Sequence, residues 1–94
     1  MTIVEGRVAN SKAKEFEKSY ALLKNEPLPP GLKISYLTRS SKDPEIYRVH
    51  TTWESREALE EMRRTNEMPA AVAIFKKVGV TPNVEIYDIV DYLP

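Results

Sequence analysis

Cysteine is missing from all 94 residues, so the chain has no disulfide, no thiolate nucleophile and no sulfur ligand for zinc or an iron–sulfur cluster. Histidine occurs once, which leaves a structural transition metal short of its usual donors; no metal is expected. Charge of one sign is also missing. Fourteen basic side chains face fourteen acidic ones, and a formal net charge of zero gives neither nucleic acid nor an anionic membrane a global field to follow. No run approaches the roughly 18 apolar residues of a membrane span, and Met1-Thr2-Ile3-Val4-Glu5-Gly6-Arg7 lacks the basic and apolar regions of a signal peptide. A cytoplasmic protein is the expectation. Glycine is scarce, at three residues, and no phosphate-binding loop, nucleophile elbow or His-Glu-x-x-His occurs, so nucleotide binding and covalent catalysis have no support.

What is present is ordinary globular material, 41% hydrophobic and 30% charged, in the length of a single domain over residues 1–94. A chain this short with no disulfide buries a smaller share of its surface than a larger domain does, and a second copy would enlarge the core. A homodimer is expected.

Residues 2–8 are β-branched and partly alternating, and they read as a first strand that stops at Ala9-Asn10-Ser11, where Asn or Ser could cap a helix. Over residues 12–24, Ala13, Phe16, Tyr20 and Leu23 recur at spacings of three and four, the mark of an amphipathic helix. The prolines of Pro27-Leu28-Pro29-Pro30 must break it. Leu32, Ile34 and Tyr36 then alternate with Lys33 and Ser35, a turn-rich Arg39-Ser40-Ser41-Lys42-Asp43-Pro44 follows, and residues 45–53 alternate again, which predicts a hairpin. Ser55 offers an N-cap for a second helix carrying Ala58, Leu59 and Met62; Thr65-Asn66-Glu67-Met68-Pro69 interrupts it, and Val72, Phe75 and Val78 resume its face up to Gly79. Residues 84–92 read as the last strand, with apolar side chains on both parities, so both of its faces need cover. The order β-α-β-β-α-β predicts an α+β, ferredoxin-like domain: a four-stranded antiparallel sheet with two helices on one face. A second copy, sheet against sheet, is the simplest cover for the other face.

Three segments carry a resemblance that covers essentially the whole chain. Pro30-Gly31-Leu32, the turn at Asp43-Pro44 and the junction Trp53-Glu54-Ser55-Arg56-Glu57-Ala58-Leu59 resemble the antibiotic biosynthesis monooxygenase family, of the dimeric α/β-barrel type. The resemblance implies a homodimer with a pocket in each subunit between helices and sheet. Family oxygenases use such pockets to oxidise phenolic or quinol-like polyketides with molecular oxygen and neither metal nor flavin, so no cofactor is implied. Two departures stand out. Many relatives carry a histidine nine residues after the junction tryptophan, where this chain has Met62. Haem-degrading relatives resemble a pattern of Asn, Trp and His that aligns here with Gly6, Met62 and Val72, which takes away the axial ligand and sets that activity back.

Among the residues suited to chemistry, His50 titrates near neutrality and could take a proton from a phenol; its plainer role is a hydrogen-bonded sheet histidine. It shares strand parity with Arg48 and Thr52. If that face meets the helices His50 lines the pocket, and if it meets another sheet His50 is an interface residue. Tyr36 and Tyr47 pair a ring with a hydroxyl that could serve as a second catalytic group, against plain packing. Trp53 could stack on a planar substrate or staple the second helix to the sheet, and Arg48 could steady a phenolate or form an ion pair. Met62, Val72 and Phe75 could wall a pocket or simply fill a core. Two functions follow: a cofactor-independent monooxygenase-like protein acting on a phenolic or quinol-type aromatic, or a non-catalytic dimeric barrel that binds a small ligand or regulates.

Overall fold

The structure, a computed structural model, describes residues 1–64 and 68–94. Its elements are β1 (Thr2–Arg7), α1 (Ala13–Leu22), β2 (Leu32–Arg39), β3 (Ile46–Trp53), α2 (Arg56–Arg64), α3 (Ala70–Lys77) and β4 (Asn83–Ile86), with single 3-10 turns at Asn10–Lys12 and Leu23–Asn25 on either side of α1. The strands form one antiparallel sheet in the order β2-β3-β1-β4, as a ferredoxin-like connectivity requires. The second of the two expected helices is represented by α2 and α3, in keeping with the interruption expected over residues 65–69; of these, Thr65, Asn66 and Glu67 lie outside the described residues, and Met68 and Pro69 belong to neither helix.

Local chemistry explains most of the boundaries. The Ala58 amide donates to Ser55 Oγ at 3.1 Å, so Ser55 caps α2 as its sequence position predicts. α3 closes on Gly79, whose φ of +79° places it in the left-handed region; the Gly79 amide donates to the Lys76 carbonyl and the Val80 amide to that of Phe75, both at 3.0 Å. α1 departs from expectation at its start. Neither Asn10 nor Ser11 provides a side-chain cap; the Lys12 amide instead donates to the Ala9 carbonyl at 2.8 Å, within the 3-10 turn.

The last strand is the larger correction. It was expected over residues 84–92 but pairs with β1 only from Asn83 to Ile86, and the following segment, 87–94, forms no strand. Thr2, the first residue of β1, pairs with Ile86, and just beyond that pair Met1 and Tyr87 exchange two main-chain bonds, both 2.7 Å.

Register divides the sheet into two unlike faces. Val4 and Gly6 of β1 and Tyr47, Val49 and Thr51 of β3 lie under the helices and are buried, while Ile3, Glu5, Tyr36, Thr38, Arg48 and His50 occupy the other face. Under the helices, Phe16 of α1 meets Tyr47 edge-on at 5.0 Å between centroids and Phe75 of α3 at 4.6 Å. Val4, Val8, Val49 and Ile74 complete this core. Gly6 is required by the closeness of that packing. A Cβ built there would stand 2.7 Å from two carbons of the Phe75 ring and 3.0 Å from Val80. Gly6→Ala is therefore expected to cost about 1–3 kcal/mol in a urea melt; an unchanged midpoint would mean that Phe75 has room to retreat.

Candidate functional site

Strand alternation commits His50 to a face before any site is considered. Tyr47, Val49 and Thr51 are the more apolar set on β3 and go under the helices, which sends Arg48 and His50 to the opposite side. There a cavity of about 330 Å³ is lined by Ile3 and Glu5 of β1, Arg48 and His50 of β3, Asn83 and Glu85 of β4, and Tyr87. Its volume falls at the lower end of the range for small-molecule sites, roughly 300–1,000 Å³.

Glu5, Arg48 and Glu85 bring charge to the lining. Arg48 donates through Nε to Glu5, its cross-strand neighbour, and the Tyr87 hydroxyl donates to Glu85. That bond holds the phenol's pKa above its usual value, aided by burial and by the carboxylate's charge. His50 Nε2 lies 2.9 Å from Thr38 Oγ1 on β2. Burial, and then the charge of Arg48, press the imidazole below its ordinary pKa of 6.5. A neutral ring is thus favoured at neutral pH, the form that accepts a proton.

The eight residues singled out by sequence are distributed over both faces. His50 and Arg48 share the cavity, and Tyr36 faces His50 across the β2–β3 pair on the same side, half exposed. Tyr47 lies on the other face, buried, with its hydroxyl donating to Glu17 on α1; burial first and that bond second raise its pKa. Phase with the helices therefore makes it a core residue that cannot meet His50. Phe75 is fully buried in the same core and Val72 packs against it, so this pair fills space that a helix-side pocket would need. Met62 is half-buried on α2. Trp53 closes β3 on the helix side, its Nε1 donating to Thr2 Oγ1 at 3.4 Å, and borders a smaller cavity of about 150 Å³ with Leu59 and Ile89. Arg56 and Asp88, paired at 3.0 Å, stand at that cavity too.

Sequence reasoning missed Ile3, Glu5, Asn83, Glu85 and Tyr87 as members of the site. A signal was available. The β-α-β-β-α-β order puts the first strand between the third and fourth, and one parity of the first and last strands then falls beside His50.

The profile of the antibiotic biosynthesis monooxygenase family matches residues 1–74. The chain belongs to this family. No curated protein matches it. Among solved structures, this member of the family is similar to a candidate antibiotic biosynthesis monooxygenase from Caulobacter crescentus, at 29% identity over 96% of this chain and 88% of that one, with a TM-score of 0.68. SnoaB, a cofactor-independent oxygenase from Streptomyces nogalater, aligns over 99% of this chain and 94% of its own with a TM-score of 0.68 and 19% identity. MhuD, solved with two manganese protoporphyrin IX molecules in each active site, aligns over 99% and 96% with a TM-score of 0.65 and 23% identity. At these identities the likeness to SnoaB and MhuD is one of fold. No helix among the described residues is long and apolar enough to cross a membrane.

Proposed function

We propose that this family member is a cofactor-independent monooxygenase of phenolic or quinol-type aromatics, with the substrate held on the open sheet face and His50 as its base. The observation that carries this reading is the cavity that joins a neutral-favoured imidazole to the Arg48 guanidinium. For a substrate of the anthrone type, His50 takes a proton from the ring methylene, and the resulting carbanion adds to molecular oxygen. The peroxide so formed takes the proton back. Loss of water, with the second methylene hydrogen leaving as a proton, gives the ketone; one oxygen atom enters the product and the other becomes water. Arg48 would steady the oxyanion of the ring while it carries charge.

A second copy, laid sheet to sheet over this face, would close the cavity and remove water from the base. Support for that homodimer comes from half-exposed Ile34 and Tyr36 on the open face and from Ile89, Val90, Tyr92 and Leu93, all exposed on the segment after β4. The competing role, a non-catalytic ligand-binding or regulatory barrel, is favoured by Met62 in place of the relatives' histidine and by the filled space around Phe16, Tyr47 and Phe75. Haem degradation is disfavoured: Gly6 has no room for the side chain that such relatives carry there.

Oxygen consumption by the purified, cofactor-free protein, screened against hydroquinones and anthrones, tests the proposal. Protein-dependent uptake is expected, with kcat/KM falling on the acid side only below pH 6.5, because the imidazole of His50 sits below its ordinary value. Silence across the panel from a cooperatively folded dimer would favour the binding role.

A further inference from the structure

A histidine serves as a base through one nitrogen only, and which one depends on what the other nitrogen is bonded to. Thr38 and Tyr36 occupy the same face of β2, opposite Arg48 and His50 of β3 respectively. From there Thr38 Oγ1 makes two contacts: the Arg48 main-chain carbonyl at 3.4 Å and His50 Nε2 at 2.9 Å. We infer that Thr38 is a positioning residue that holds His50 in the tautomer protonated at Nε2, leaving Nδ1 as the nitrogen that takes the substrate's proton.

The argument is a count of protons. A carbonyl oxygen only accepts, and a hydroxyl has one hydrogen to give. If that hydrogen goes to the Arg48 carbonyl, the hydroxyl oxygen accepts from Nε2–H and both contacts are hydrogen bonds. If it goes to Nε2 instead, the hydroxyl and carbonyl oxygens face each other at 3.4 Å with no hydrogen between them. Only the first arrangement uses both contacts. Among the described residues Nδ1 has no hydrogen-bond partner, so its lone pair is unengaged. The β-branched threonine restricts its own rotamers, which keeps Oγ1 in place. Proton uptake at Nδ1 leaves Nε2–H still donating to Thr38, so the ring charges without reorienting. Thr38 matters to turnover only if His50 is the base proposed above; the tautomer itself is a separate observable.

His50 is the only histidine, so nitrogen-15 labelling of histidine reports on one ring alone. The experiment compares the wild type with Thr38→Val, which keeps the branched shape and loses the hydroxyl, and Thr38→Ser, which keeps the hydroxyl. At pH 8, wild type and Thr38→Ser are expected to show a protonated Nε2 and a bare Nδ1, and Thr38→Val a mixture of both tautomers. In the oxygen-uptake assay Thr38→Val should lower kcat by about 3- to 10-fold with KM unchanged, the worth of one hydrogen bond, and Thr38→Ser should restore it. A proton on Nδ1 in the wild type, or an unaltered tautomer in Thr38→Val, would overturn the inference. An Nε2–H ring in a chain that consumes no oxygen upholds the tautomer assignment and counts against the catalytic reading alone.

Discussion

Phe75→Ala is expected to leave the chain close to its unfolding threshold at room temperature. The ring is fully buried, lies 4.6 Å from Phe16 between centroids and stands over Gly6, where no side chain can follow it into the gap. Truncating a buried phenylalanine costs about 3–5 kcal/mol, because the lost transfer energy is joined by that of the cavity left behind. A domain of this size has a total of only about 5–14 kcal/mol to lose. Urea denaturation of the variant beside Lys76→Ala, an exposed neighbour on the same helix, measures the difference. Lys76→Ala should stay within about 0.5 kcal/mol of the wild type. A loss under about 1 kcal/mol for Phe75→Ala would mean that α3 is not anchored through this ring.

Phe16 and Phe75 were legible because helical spacing marks an inward face whatever the tertiary structure does with it. Residues 87–92 were misread as strand for the opposite reason. Tyr87, Ile89, Val90 and Tyr92 have the composition of a strand, but a strand exists only where a partner backbone runs beside it, and β1 pairs with this segment only as far as Ile86. Composition records an apolar segment; it does not say whether a strand partner is there. Val90 and Leu93 of this segment are exposed, at 96% and 94%.

The site was half legible. Parity grouped His50 with Arg48 and Thr52, and the contrast between Tyr47-x-Val49 and Arg48-x-His50 contained the answer to which set goes under the helices. Tyr36 and Tyr47 looked equivalent in sequence, and only the pairing of β2 with β3 separates them, one beside His50 and one in the core. Glu85, Asn83 and Tyr87 sit more than thirty residues beyond His50, and it is the place of β1 at the centre of the sheet that brings them near.

The second large effect is catalytic. General acid–base groups contribute about 10²–10⁴-fold to rate, and His50 is only partly buried, so its removal should be expensive for turnover and nearly neutral for the fold. Tyr36→Phe is the companion variant: Tyr36 is the cross-strand neighbour of the proposed base but does not line the cavity, and loss of its hydroxyl should change turnover far less. The most direct measurement is the initial rate of oxygen uptake by His50→Ala, with a substrate that the wild type turns over and with thermal melts of both proteins. The account predicts a rate at least about 100-fold lower at an unchanged melting temperature. A rate within a few-fold of the wild type would move the chemistry off the open face and contradict the assignment of His50 as the base.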